Sequence, residues 1–250
     1  MLSKVIYEDK QVKWVVFARD PEKPNNVIDT NEYLIISDGK GMVLDPGGME
    51  IFPDVVAAMS DYIPIEDITV LFGSHQDPDI ISSLSLWNEV CPKAQVYVPW
   101  VWTSFIAHFG YDAKRMIAVP DEGMKVQLSA NHVVDLVPAH YLHSSGNLHV
   151  YDPRAKFLFS GDVGAALLPP EKDALYVEDF AQHTKYMEKF HMRWMPSNAA
   201  RDAWLQRVRK MKIDQMLPQH GSIFKDDDVT KFFDWFSKLE LGAATKHNAA

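Results

Sequence analysis

The chain has 250 residues, a formal net charge of −9, 47% hydrophobic residues and 12% aromatics. That apolar content is enough for a sizeable core, in one large domain or two small ones, and too high for disorder. The acidic balance argues against general nucleic-acid binding, which needs a basic footprint, and against an anionic membrane surface.

A single cysteine, Cys91, leaves no internal disulfide, no Cys-rich zinc site and no thiolate iron–sulfur or rubredoxin-type centre. Charge arrives too early after Met1 for a secretory signal, and no run of eighteen apolar residues exists. A soluble cytoplasmic protein without a membrane partner is the expectation.

In chain order, Val5–Tyr7 and Val12–Phe17 are short β-type runs, and residues 20–26 form a Pro- and Asn-rich loop. Tyr33–Ile36 and Met42–Asp45 flank Ser37-Asp38-Gly39-Lys40-Gly41, a hairpin signal. Pro46-Gly47-Gly48 turns the chain into a helix over roughly residues 51–62, whose apolar Val55, Val56, Met59 and Tyr62 share one stripe. Ile68–Phe72 reads as a buried strand. A helix over about residues 80–90 follows, then a strand at Gln95–Val98, a helix at Trp100–Phe109 and strands at Met116–Val119 and Val133–Val137. Trp100, Trp102, Phe105 and Phe109 read as ordinary helix-packing residues, with a gas-accessible pocket as the alternative. Met187, Met192, Met195 and Trp194 likewise read as core.

Leu148–Tyr151 and Lys156–Phe159 pair across Asp152-Pro153-Arg154. Residues 178–211 are helical with a break near Pro196, where Ser197 or Asn198 caps the second helix. Ile213–Leu217 is the last strand predicted, and Asp226-Asp227-Asp228 opens a terminal helix whose acidic first turn suits the helix dipole. Strands in two blocks, each with helices, predict an α/β fold: two stacked sheets with helices outside, a four-layer αββα sandwich. Residues 1–242 are expected to form a single domain, with 243–250 a frayed tail.

The stretch Gly73-Ser74-His75-Gln76-Asp77-Pro78-Asp79-Ile80 organises the functional reading. At the end of a strand it places His75, Asp77 and Asp79 two apart, so an extended segment turns all three to one side. Pro78 favours extended geometry at Asp77. Alone, this could be a polar turn with Asp77 or Asp79 as a helix N-cap. Three further segments supply His143, Asp162 and His220, at intervals of 68, 19 and 58 positions from His75 onward. Three imidazoles and three carboxylates suit two metal ions sharing a bridging carboxylate better than one.

This ordered set resembles the metallo-β-lactamase superfamily, and within it the diiron branch of flavodiiron proteins and stand-alone oxygen-binding diiron proteins. Leu142-His143-Ser144, Phe159-Ser160-Gly161-Asp162 and Pro218-Gln219-His220-Gly221-Ser222-Ile223-Phe224 look like the branch's corresponding segments, and the likeness covers about residues 30–240. It implies that His75, Asp77 and His143 bind one iron and Asp79 and His220 the second. Asp162 would bridge the pair, together with an oxo, hydroxo or peroxo group. Two departures stand out. Asp77 replaces the usual Glu and reaches one methylene less far. Ile80 replaces a ligating His and cannot bind a metal; its other reading is core packing. His140 is a candidate substitute ligand or a neighbour of the site. His108, His132, His149, His183, His191 and His247 lack ligand context.

Three carboxylates offset most of the charge of two divalent ions, and one hydroxide offsets the rest. After both ions are oxidised, a peroxo dianion returns the balance to a single positive charge. The donor set therefore suits iron and O2, whereas zinc has no redox chemistry; zinc and manganese are the alternative metals. The resemblance implies an O2-binding protein, with NO as a second gas, acting as a sensor or carrier. Without a flavodoxin-type phosphate loop it would need a partner flavoprotein or rubredoxin to act as an O2 or NO reductase. A signalling partner and a homodimer are compatible with either. The third reading is a dinuclear zinc hydrolase, in which metal-bound water attacks an ester, thioester, lactam or phosphodiester.

Overall fold

A computed structural model describes residues 1–18 and 28–245. The loop expected at residues 20–26 and His247 lie outside the described residues. The chain divides into two compact units, Met1–Asp135 and Leu136–Ala250.

The first unit is built on a seven-stranded sheet, in which β1 to β7 lie in sequence order. Strands β1 (Leu2–Glu8), β2 (Val12–Ala18), β3 (Glu32–Ser37) and β4 (Lys40–Leu44) are antiparallel neighbours. The β3–β4 hairpin closes through Asp38 and Gly39, both at positive φ (47° and 77°), the two-residue turn whose twist matches that of the strands. Helix α1 (Phe52–Ser60) leads to β5 (Ile68–Phe72), which pairs with β4 in parallel. Helices α2 (Pro78–Ile81) and α3 (Leu84–Val90) then lead to the parallel β6 (Gln95–Pro99). A short helix, α4 (Thr103–Ile106), leads to the parallel β7 (Met116–Val119). Strand β8 (Met124–Ser129) follows. Phe17, Leu34, Leu71, Ile80 and Trp87 pack in one apolar core. Parallel strands covered on both faces read as near-continuous apolar runs, which is why Ile68–Phe72 was legible.

The helix expected over 80–90 is instead two helices. Ser82 and Ser83 interrupt it, because their hydroxyls serve the Pro-Gly-Gly turn. Ser82 Oγ accepts from Met49 N (3.0 Å), and Ser83 Oγ donates to Gly47 O (2.6 Å). The helix expected over 100–109 is one short α-turn between 3₁₀ turns. Trp102 and Phe109 pack on the core, but Trp100 (50% exposed) and Phe105 (61% exposed) do not.

The second sheet has the order β13-β12-β11-β10-β9-β8. The unit boundary falls within β9 (His132–Pro138). Strands β10 (Leu148–Asp152) and β11 (Phe157–Gly161) form the expected antiparallel pair, with Val150 opposite Phe159. Helices α5 (Phe180–Trp194) and α6 (Asn198–Val208) cross over to β12 (Gln215–Pro218), which lies parallel to β11. Ser197, not Asn198, caps α6: its Oγ accepts from Ala200 N at 3.1 Å, a contact that stabilises a helix by about 1 kcal/mol. A two-residue strand β13 (Phe224–Lys225) precedes α7 (Asp227–Lys238), which starts with Asp227 and Asp228 in its first turn. Met187, Met195, Trp204, Phe232 and Phe236 form this unit's core, with the last two rings stacked at 5.4 Å. Trp194, by contrast, is half-exposed. No helix among the described residues is long and apolar enough to cross a membrane.

Candidate metal centre

The candidate ligands of the first unit follow from the parallel pairing of β4 and β5. Leu44 lies opposite Phe72, so Asp45 and Gly73–Ser74 leave the sheet side by side, with Asp45 N donating to Phe72 O (2.8 Å). Asp45, Ser74 and His75 are all fully buried. Asp45 accepts from Ser74 twice: from the backbone N at Oδ1 and from the hydroxyl at Oδ2, both at 2.7 Å. Ser74 Oγ also lies 2.9 Å from His75 Nδ1. With the hydroxyl proton committed to Asp45, this last contact is Nδ1–H donating to oxygen. The proton therefore sits on Nδ1 and the lone pair on Nε2, the tautomer a metal ligand needs.

His75 Nε2 lies 3.5 Å from Asp77 Oδ2, while Asp77 Oδ1 accepts from Gln76 Nε2 at 2.8 Å. Asp77 is extended (φ −71°, ψ 146°), as a residue before proline should be. It occupies the N-cap position of α2, but its side chain makes no capping bond. Pro78 begins the helix at once, a position it favours. The extended run therefore stops at Asp77, and Asp79 sits in the first turn of α2 rather than two steps along a strand. Ile80 is fully buried in the first unit's core, so the packing reading of this position is the one the structure supports.

In the second unit, His143 is carried by a tight connection between β9 and β10. Ala139 N donates to Asn147 O (2.9 Å), Tyr141 N to Ser144 O (2.6 Å) and Asn147 Nδ2 to Leu142 O. Asp162 and His220 follow the parallel neighbours β11 and β12, so their backbones emerge together. Gln219 N donates to Gly161 O (2.8 Å) and Ala166 N to His220 O (3.1 Å). Gly221 permits this approach: its φ is +84°, and a Cβ there would lie 2.8 Å from the Ala166 carbonyl oxygen.

The outcome is a carboxylate flanked by two imidazoles. Asp162 Oδ2 is 2.8 Å from His143 Nε2, and Asp162 Oδ1 is 3.4 Å from His220 Nε2. Each oxygen of one carboxylate addresses a different ring. That is the disposition a carboxylate needs to span two ions, each also held by an imidazole. The donor set is nitrogen and oxygen without sulfur, which suits borderline divalent metals. These residues fit a metal pair. The aromatic side chains Phe190 and Trp194 lie edge-on to His143, at 6.2 and 5.7 Å.

The remaining histidines sort by their surroundings. His149 is fully buried, and its Nδ1 accepts from Trp204 Nε1 (3.1 Å). His183 is buried against Phe224, and desolvation pushes its imidazole down to about 4. His140 is half-buried in the connection that carries His143. Asp45, Ser74 and His191 were not marked by sequence reasoning; only the strand register and the fold give them neighbours.

Residues 28–221, most of the chain, match the profile of the family described as "ODP family beta lactamase". The fold is similar to that of a solved structure described as the peroxy diiron species of the chemotaxis sensor ODP, with a TM-score of 0.87 and 38% identity over 97% of each chain. It is equally similar, at TM-score 0.87 and 38% identity, to the apo state of that sensor from T. denticola, over 96% of this chain and 95% of that one. A variant of the flavo di-iron protein from Thermotoga maritima matches at TM-score 0.79 and 18% identity, over 94% of this chain but 60% of its own; that likeness is one of fold alone. A curated but uncharacterised protein of Methanocaldococcus jannaschii is 22% identical over 211 residues, which are 82% of this chain. The chain spans about half the length of that relative (52%). The expected fold class, α/β of the metallo-β-lactamase type, holds.

Proposed function

The chain belongs to the ODP beta-lactamase family, and from that membership we propose that it is a non-haem diiron protein that binds O2 as a sensor. The single observation that carries this reading is the pair of imidazoles on opposite oxygens of Asp162. His75, Asp77 and His143 would hold one iron, Asp79 and His220 the other, and Asp162 would bridge them. An iron pair, when bound, supplies electrons to a diatomic gas, which zinc cannot do.

The chain's own residues set the conditions for that chemistry. Asp45 and Ser74 hold His75 in the tautomer that offers Nε2. Asp77 keeps one oxygen towards His75 while Gln76 occupies the other. Ile80 adds no ligand and packs into the core, so this chain would supply one protein ligand fewer and leave a place for a gas. Sensing is favoured over turnover because a relative 38% identical over 97% of both chains is described as a chemotaxis sensor. The same proposal includes residues 1–242 working as one domain, a cytoplasmic location, NO as a second gas and a signalling partner. An electron-donor flavoprotein or rubredoxin would reset the site after oxidation, and a homodimer is compatible with it.

The test is anaerobic titration of reduced, iron-loaded protein with O2, followed by absorption. Saturation at one O2 per chain, with a lasting near-ultraviolet or visible change, is expected. No spectral change would sink the reading. Continuous O2 consumption with a reduced flavoprotein present would replace sensing by reductase activity. Zinc in the purified protein, with hydrolysis of simple esters, would replace both.

A further inference from the structure

His191 lies in α5 and is fully buried. Both of its ring nitrogens are engaged. The backbone N–H of Gly164 donates to Nε2 at 3.0 Å. An amide can only donate, so Nε2 must carry a lone pair and the ring proton must sit on Nδ1. Nδ1 lies 2.8 Å from the carbonyl oxygen of Met187, which can only accept. The two contacts agree on one neutral tautomer. Phe190, Phe232, Trp235 and Phe236 pack around the ring at 5.4–6.1 Å between centroids. Burial among them pushes the imidazole down to about 4, which keeps it uncharged near neutral pH.

Gly164 is the far end of the turn that presents Asp162. Within that turn, Val163 N donates to Ser160 O (2.9 Å), Ser160 Oγ donates to Val163 O (2.7 Å) and Ala165 N donates to Asp162 O (3.1 Å). These bonds close the turn on itself. The Gly164 amide ties the turn to α5 by a hydrogen bond, and just beyond it Leu167 N donates to Tyr186 O of the same helix (3.2 Å). Gly164 has φ +97°, and a Cβ there would lie 2.8 Å from Met216 Cε, so the turn passes close over β12, with Val163 buried in the second unit's core beside it.

We infer that His191 is a positioning residue: by accepting from the Gly164 amide it fixes the Ser160–Gly164 turn, and with it the direction in which Asp162 presents its carboxylate between His143 and His220. The purpose of that positioning rests on the diiron reading; the hydrogen bond and the tautomer do not. A ligand held by a backbone turn needs the turn itself held, just as a ligating histidine needs a partner on its second nitrogen.

The first arm uses the unmodified, metal-free protein. Nitrogen-15 NMR of His191 should show the proton on Nδ1 and a bare Nε2, and the Gly164 amide should exchange slowly with solvent. A proton on Nε2, or a freely exchanging Gly164, overturns the inference. The second arm compares His191→Gln, which retains an acceptor, with His191→Leu, which does not. His191→Leu should accelerate Gly164 exchange selectively and weaken iron binding roughly 10- to 100-fold, and His191→Gln should recover most of both. Unchanged iron affinity in His191→Leu, or a glutamine variant no better than leucine, also overturns it. If His191→Leu does not fold, the first arm and the glutamine variant decide. If the unmodified protein holds no pair of irons, the diiron reading fails while the tautomer and exchange results still judge His191.

Discussion

Ser74 Oγ lies 2.7 Å from Asp45 Oδ2, and that one contact decides which nitrogen of His75 carries the proton. The two residues follow the ends of different strands, 29 positions apart, and meet because β4 and β5 end together. Replacing Ser74 with Ala removes the hydroxyl while the backbone bond from Ser74 N to Asp45 Oδ1 stays. It should cost about 1–3 kcal/mol of metal-free stability, the usual penalty for a buried acceptor stripped of its donor. It should also weaken iron binding roughly 10- to 100-fold. Denaturant melts and a metal titration check both; lost stability with unchanged affinity would show that Ser74 supports the fold without orienting His75.

Asp162→Asn keeps the shape of the bridge and removes its charge. Loss of both irons is expected, because each oxygen of Asp162 faces a different imidazole. Retention of one full equivalent, read by elemental analysis, would contradict the bridging role.

Ile80 separates packing from ligation. As a fully buried core residue, its replacement by Ala should cost about 2–5 kcal/mol. Iron content per folded chain should stay unchanged, since an isoleucine holds no metal. Melting curves and metal counts on the same preparations check the two halves. Loss of iron without loss of stability would return Ile80 to the site.

His183 should make the fold acid-sensitive. Its imidazole is lowered from 6.5 to about 4, chiefly by burial, with Asp228 offsetting part of the shift. Between those values the unfolded chain takes up a proton that the folded one refuses, so stability is fully present above about pH 6.5 and lost as pH falls towards 4. The shift corresponds to at most roughly 3 kcal/mol. His183→Leu should flatten the stability–pH curve over this window relative to the parent protein. Parallel curves would mean that His183 protonates freely in the folded state.

How far the sequence reaches can be seen at individual positions. Asp38-Gly39 announced its hairpin because only certain residues tolerate two positive φ angles in a row. Ser197 announced a helix start because its hydroxyl acts on the next turn. These are local effects, and local effects survive without coordinates. Ser82 and Ser83 break a helix because they bond to a turn more than thirty residues earlier, which no window of sequence contains. Strand β8 was missed because only one of its six residues, Val126, is buried, so it carries little apolar signal. The histidines and aspartates stood out by chemistry and order. Asp45, Ser74 and His191 did not, since an Asp after a strand, a Ser before a His and a His in an amphipathic helix are ordinary until register and packing give them partners.

Asp162 spanning two irons would couple them magnetically. Mössbauer spectroscopy of the oxidised protein loaded with iron-57, at liquid-helium temperature in an applied field, tests it most directly. Two irons per chain with a diamagnetic ground state, the signature of two bridged ferric ions, are predicted. Magnetically split signals of isolated ferric ions, or a single iron per chain, would contradict it.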